Sequence, residues 1–176
     1  MCHARTELGA DHAAMWGSPH LDREAGGNDP RPRVLVEIRD GAEAWGLWRV
    51  LERAGYAVSW CPGPDRASGT SCPLVTRGAC PLVEDADVVL SALGPPIDSW
   101  RAVLEASRRH HPDTPVVVGS SALDAARLGA LPMGSSQVRA PLRAGEVLRT
   151  VEDALALRRA SVVDPVTSGD HSRSDG

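Results

Sequence analysis

Three cysteines in this sequence are each followed by proline, and their thiols are side chains that can bind metals or undergo redox chemistry. The pairs are Cys61-Pro62, Cys72-Pro73 and Cys80-Pro81, more than the composition predicts. Proline fits the first turn of a helix and disfavours the helical conformation in the residue before it. The pattern therefore predicts short helical turns over Pro73 to Arg77, ended by Gly78, and over Pro81 to Asp85. A thiol that caps such a turn faces backbone N–H groups, which favour the thiolate.

Four interpretations of these cysteines stay open. Thiolates at Cys61, Cys72 and Cys80 could ligate an iron–sulfur cluster or zinc, although their spacings differ from the usual C-x₂-C knuckles. A Cys-Pro pair also resembles the short haem regulatory motif, in which the thiolate is an axial ligand of haem. Two of the thiols could instead form a reversible disulfide. In the fourth interpretation, each cysteine packs as a small apolar residue beneath its loop.

Composition restricts the class of protein. The chain has 176 residues and a formal net charge of -4, and its 19 basic Lys or Arg residues are all arginine. This negative charge argues against a nucleic-acid-binding protein. No apolar run reaches the roughly 18 residues needed to span a bilayer. Since the N-terminus also lacks the pattern of a signal peptide, we expect a soluble, cytoplasmic protein with no membrane contact.

The chain ends differ from its middle. Polar, glycine- and proline-rich composition predicts disordered tails over residues 1–32 and 161–176. In residues 33–160, short apolar runs alternate with helical patterns, which predicts one doubly wound α/β domain with a parallel sheet and helices on both faces. The predicted strands are Val34–Val36, Tyr56–Trp60, Ala86–Leu93, Pro115–Val118 and Gln137–Arg139, and the predicted helices are Ala42–Ala54, Asp98–His110, Ala122–Leu128 and Ala144–Arg159.

Several segments, in their order along the chain, carry a resemblance to a known family. They include Val34-Leu35-Val36-Glu37, Leu51 to Val58, Ala86 to Leu90, Pro115 to Ser121 and Ala140-Pro141-Leu142. Together they resemble the receiver domain of bacterial response regulators, over Arg33 to about Leu157. The resemblance implies a flavodoxin-like fold, with a five-stranded parallel sheet in the order 2-1-3-4-5 and a functional site at the carboxyl ends of the strands.

The same resemblance implies chemistry whose residues are largely missing here. Receivers hold Mg²⁺ with an acidic pair after the first strand, accept phosphate on an Asp that ends the third, and use a Lys before a Pro near the fifth. These positions fall on Glu37 and Ile38, on Ala92 and on Ala140, whereas the hydroxyl position after the fourth strand falls on Ser120. Since alanine offers no nucleophile, the resemblance implies a degenerate receiver that is not phosphorylated at the usual site.

Polar side chains are nevertheless expected at the carboxyl edge of the sheet. They are Glu37, Arg39, Asp40, Ser120, Ser121 and Arg139. Arg139 and the two serines could hold a small anion, assisted by the N-terminus of the helix that begins at Ala122. The alternative is that Ser120 or Ser121 only caps that helix.

Trp48 is a candidate contact for a protein partner. The inner stripe of its helix is already formed by Leu47, Val50, Leu51 and Ala54, so Trp48 is predicted on the outer face. The leading hypothesis is a non-enzymatic pseudo-receiver that needs no cofactor and regulates a protein partner without phosphotransfer. The alternative hypothesis is a cysteine-based metal, haem or redox sensor that uses the loop containing Cys61, Cys72 and Cys80.

Overall fold

The computed structural model describes residues 30–65, 69–131 and 134–163. Within these ranges, five strands alternate with six helices. The strands are β1 (Arg33–Ile38), β2 (Ala57–Cys61), β3 (Val88–Ala92), β4 (Val116–Ser120) and β5 (Ser135–Arg139). The helices are α1 (Gly41–Arg53), α2 (Pro73–Arg77), α3 (Pro81–Glu84), α4 (Ile97–His110), α5 (Ala122–Leu128) and α6 (Ala144–Val163).

The strands form one parallel sheet in the order β2-β1-β3-β4-β5. This arrangement confirms the predicted flavodoxin-like order. Strand β1 pairs with β2 on one side and with β3 on the other, so that Val34 is in register with both Val58 and Val88. The apolar run of β1 suits this central position because a strand covered on both faces can bury every side chain.

Helices cover both faces of the sheet and divide the core into two clusters. On one face, α1 contributes Leu47 and Leu51 and α6 contributes Val147 and Val151. On the other face, a second cluster includes α4 residues and the two short helices; its members include Leu74, Val83, Trp100, Val103 and Leu104. Because successive strand residues point to opposite faces, β1 supplies Val36 to the first cluster and Leu35 to the second.

The Cys-Pro segments form the two short helices that the sequence predicts. Cys72 and Cys80 lie at the N-caps of α2 and α3. Gly78 ends α2 with φ 73°, a left-handed conformation that glycine adopts without steric cost. A Cβ atom at this position would lie 2.7 Å from Cε1 of His110. Helix α2 therefore ends under the ring of a residue from α4.

Several boundaries differ from the predicted ones. Helix α4 begins at Ile97, after an extended Pro96, rather than at a cap formed by Asp98 or Ser99. Helix α6 continues to Val163, past the predicted end at Arg159, because no glycine or proline interrupts it before Pro165. The predicted disorder of both tails concerns residues that lie almost wholly outside the described ranges. No helix in those ranges has the length and apolar character needed to cross a membrane.

Candidate functional site

A row of three polar residues crosses the middle of the sheet near its carboxyl edge. Glu37 of β1 is in register with Cys61 of β2 and with Ser91 of β3. Neighbours in register on parallel strands project to the same face, so these side chains lie side by side. Ser91 Oγ accepts a hydrogen bond of 3.0 Å from Nε1 of Trp100 and interacts through its hydroxyl with the Glu37 carboxyl group. The result is a buried chain from Trp100 through Ser91 to Glu37.

Burial controls the charge of Glu37. Only 5% of this residue is exposed, and desolvation raises its pKa from 4.5 to about 7, although the Ser91 hydrogen bond acts in the opposite direction. The charged form is disfavoured because the surrounding strands supply few groups that replace water. Near neutral pH, this carboxyl group is thus poised between its protonated and ionised forms.

The acidic pair implied by the resemblance is not assembled as two adjacent carboxylates. Ile38 is buried in the first core cluster, and its carbonyl oxygen accepts a hydrogen bond of 2.7 Å from Nε1 of Trp60. Asp40 caps α1 instead, with Oδ1 2.8 Å from the backbone N of Glu43. Its carboxylate therefore stabilises the start of the helix that leaves β1.

Ala92 lies in an apolar contact at the end of β3. It is in register with Ile38 of β1. A Cβ atom at Gly119 of β4 would lie 3.0 Å from Cβ of Ala92 and 2.8 Å from Cδ2 of Leu142. The space over the ends of β3 and β4 is therefore filled by a methyl group and a leucine side chain.

The two serines after β4 have separate roles. Ser121 caps α5, since its Oγ accepts a hydrogen bond from the backbone N of Asp124 at 3.1 Å and lies 2.6 Å from Oδ2 of the same residue. Ser120 is buried, and its Oγ accepts a hydrogen bond of 2.9 Å from Nε2 of Gln137. The alternative prediction, in which one of these serines only caps the helix, therefore describes Ser121. Ser120 instead connects β4 to β5 through its hydrogen bond with Gln137.

Arg139 and Ala140 lie at the end of β5. The backbone N of Ala140 donates a hydrogen bond of 2.9 Å to the carbonyl oxygen of Ser120. Arg139 is exposed and lines a groove of about 470 Å³. The other residues that line this groove are Ala140, Pro141, Arg143 and Glu146. Neither serine lines this groove, although Ser120 of β4 is in register with Arg139 of β5.

The three cysteines pack against the second core cluster. Cys80 is buried within it, and Cys61 and Cys72 contact it from the side. Burial raises the pKa of the Cys61 and Cys72 thiols, and the negative charge of Glu37 raises both further. The N–H groups of Leu74 and Val75 lower the pKa of Cys72, but this effect is smaller than that of burial. The N-cap groups thus favour the thiolate of Cys72 as predicted, but burial outweighs them and the pKa is raised overall.

The cysteines do not form a group of metal ligands in this structure. Across residues 30–65, 69–131 and 134–163, no three His, Cys, Asp or Glu side chains are arranged to hold a metal ion. The thiols nonetheless lie near one another. Cys72 and Cys80 are close enough to Cys61 that their electrostatic effect raises its pKa. The packing interpretation describes this arrangement most directly.

Two tryptophans of α1 are accessible to different degrees. Trp48 is half-buried, whereas Trp45 is 36% exposed. The guanidinium carbon of Arg49 lies 5.8 Å from the centre of the Trp45 ring, a cation–π contact. The outer face of α1 thus presents Trp45 more fully than the predicted Trp48.

Comparison with known proteins places this geometry in a wider group of structures. No protein-family model matches the chain, and no curated protein matches it. Solved structures do match. A CheY-like response regulator receiver domain protein from Methanospirillum hungatei JF-1 is 14% identical, with a TM-score of 0.54, over 74% of this chain and 98% of that one. The fold is that of a response-regulator receiver domain.

Two further solved structures match a similar share of the chain. The signal receiver domain of an HD domain-containing protein from Pseudomonas fluorescens Pf-5 is 18% identical, with a TM-score of 0.53, over 74% of this chain and 98% of that one. A sensor protein from Polaromonas sp. JS666 is 21% identical, with a TM-score of 0.56, over 73% of this chain and 99% of that one. At these identities the likeness concerns the receiver fold alone.

Sequence reasoning missed the partners of Glu37. Ser91 is the single hydroxyl residue in the otherwise apolar strand β3, and a buried hydroxyl group requires a hydrogen-bond partner. That signal pointed to a polar contact within the sheet. It did not identify Trp100, which meets Ser91 only because α4 packs on this face of the receiver fold.

We predict that Glu37→Gln changes the pH dependence of stability. Because the folded-state pKa is raised, the contribution of Glu37 is fully present below pH 4.5 and is lost as pH rises through about 7. At about pH 8 the variant should exceed the wild type by up to about 3 kcal/mol in free energy of unfolding, and the difference should shrink toward about pH 4. Urea unfolding followed by tryptophan fluorescence measures this difference.

The control for that experiment is Glu52→Gln, which removes an exposed carboxyl group from α1. Its stability should follow the wild-type pH profile. A Glu37→Gln profile that runs parallel to the wild type over the whole pH range would contradict the assignment of a buried, destabilised carboxylate.

We also predict that Cys61 and Cys72 react slowly with N-ethylmaleimide in the folded protein. Only the thiolate reacts, so at about pH 7.5 alkylation should be at least about 100-fold slower than in urea. Peptide mapping by mass spectrometry measures each site separately. Glu37→Gln, which removes the nearby negative charge, should accelerate the reaction of Cys61. Equal rates in folded and unfolded protein would contradict the prediction.

Proposed function

We propose that this chain is a pseudo-receiver, a signalling module that regulates a protein partner without being phosphorylated and without catalysing a reaction. The observation that carries the proposal is the apolar end of β3. Ala92 stands there in register with Ile38 and packs over Gly119 beside Leu142. Neither Ala92 nor Ile38 has a side chain that can act as a nucleophile or hold a divalent cation, the two functions that aspartyl phosphorylation requires.

A second line of support is the use of the nearby polar groups. Asp40 and Ser121 cap helices, and Glu37 is buried against Ser91. A buried carboxyl group with a raised pKa binds Mg²⁺ less readily because metal ligation requires its ionised form. The side chains of Asp40, Ser121 and Glu37 thus form hydrogen bonds within the protein that stabilise its fold.

We predict that a small phosphodonor such as acetyl phosphate, with Mg²⁺, leaves the intact mass of the protein unchanged. No carboxylate occupies the end of β3, so no phosphoryl group should be transferred there. Intact-mass spectrometry checks this result. A receiver domain that retains its aspartate serves as the positive control for the donor. A stable adduct of one phosphoryl group that maps to residues 33–160 would overturn the proposal.

The outer face of α1 is the proposed contact for the partner. Trp45 is exposed and stacks with Arg49, and Trp48 lies one turn further along the helix. Tryptophan and arginine are enriched among the residues that dominate binding energy in protein interfaces. This arrangement extends the original prediction for Trp48 to a patch of three side chains.

We predict that Trp45→Ala and Trp48→Ala each abolish a specific protein cross-link that the wild-type chain forms in its native cells. Photo-cross-linking with quantitative mass spectrometry compares the variants. Leu123→Ala is the matched control, because it removes a 60% exposed apolar side chain from α5. The α1 contact is wrong if the cross-link persists in both tryptophan variants or disappears equally in the control.

A further inference from the structure

Arg39 follows β1 at the carboxyl edge of the sheet, and the described residues provide a hydrogen-bond partner for only part of its guanidinium group. Nη1 donates a hydrogen bond of 3.0 Å to the carbonyl oxygen of Pro64, in the loop that follows β2. This bond links the Arg39 side chain to the segment that follows β2. The residue as a whole is half-buried.

The remaining guanidinium nitrogens are enclosed. Nε and Nη2 of Arg39 are both buried, and neither forms a hydrogen bond with any residue that the structure describes. Almost all buried N–H groups in proteins are paired, since leaving one unpaired is destabilising. Nε and Nη2 also lie on the same edge of the planar group. That edge donates two parallel hydrogen bonds to a carboxylate or a phosphate.

The neighbouring carboxyl groups do not fill this role. Glu37, two residues earlier, interacts with Ser91. Asp40, the next residue, directs its carboxylate to the start of α1. The apolar residues Ile38 and Ala92 place no further negative charge at the ends of β1 and β3. Within the described residues, the Nε and Nη2 edge of Arg39 is therefore a cationic group without a hydrogen-bonded carboxylate.

We propose that Arg39 anchors a binding site for an oxyanion, either a phosphate group or a carboxylate, through its Nε and Nη2 edge. The carboxyl edge of an open α/β sheet is where such folds place ligands. Binding is noncovalent and satisfies two buried donors. The site goes beyond the proposed function, because it requires neither a phosphoacceptor nor a partner, and it differs from the predicted anion site at Arg139.

The test is a titration of the full chain, at constant ionic strength, with inorganic phosphate and separately with acetate. The Arg39 Nε–H resonance in ¹H–¹⁵N spectra, assigned by its loss in Arg39→Lys, reports binding at this atom. We expect a saturable shift. Arg39→Lys keeps the charge but loses the paired donors, so it should weaken binding by at least about tenfold, measured by calorimetry. Arg139→Lys is the matched control and should change affinity less than about twofold.

Each outcome is decisive. A saturable shift with phosphate alone supports a phosphate site, with acetate alone a carboxylate site, and with both a general oxyanion site. No saturable shift with either anion overturns the proposal, as does binding that is unchanged in Arg39→Lys or lost in Arg139→Lys. If circular dichroism shows that Arg39→Lys is unfolded, the Arg39 Nε–H resonance can be assigned in the wild type by triple-resonance spectra, and the anion titration is then read at that resonance. The phosphodonor experiment is independent, so either proposal can fail alone.

Discussion

The position of β1 between β2 and β3 decides the surroundings of Glu37, the buried carboxyl group of the candidate site. Both edges of β1 are paired, and its residues from Val34 to Ile38 are buried. Glu37 therefore obtains its polar contact from a neighbour in register, Ser91, which is in turn held by Trp100. Because this single chain of contacts replaces full hydration, the pKa of the carboxyl group rises.

The same burial explains the chemistry of the cysteines. Helices α2 and α3 cover the face of the sheet to which Glu37 projects, and their apolar residues Leu74 and Val83 are almost completely enclosed. The thiols of Cys61 and Cys72 share this environment and stay protonated. The segment between β2 and β3 thus functions as part of the core, although its Cys-Pro pairs resemble ligand motifs.

At the carboxyl edge, the fold uses most polar side chains to begin helices and join strands. Asp40 starts α1, Ser121 starts α5, and Ser120 bonds to Gln137 of β5. Apolar contacts fill the end of β3, where Ala92 meets Gly119 and Leu142. Arg39 differs, since one of its nitrogens donates to Pro64 and two buried nitrogens have no hydrogen-bond partner among the described residues.

The sequence by itself determined the features that depend on local backbone chemistry. Pro73 and Gly78 define α2 because proline fits a first turn and glycine permits φ 73°. Apolar runs located the first four strands, the short segment Gln137–Arg139 was predicted as the fifth, and the strand order came from the family resemblance. Only the tertiary structure decided that Ser91 meets Trp100 and that Asp40 caps a helix instead of pairing with Glu37. It also decided that desolvation outweighs the N-cap effect on the Cys72 thiol. Hydrogen-bond partners and desolvation depend on residues that sheet register and helix packing bring together from distant parts of the chain, and no local pattern encodes them.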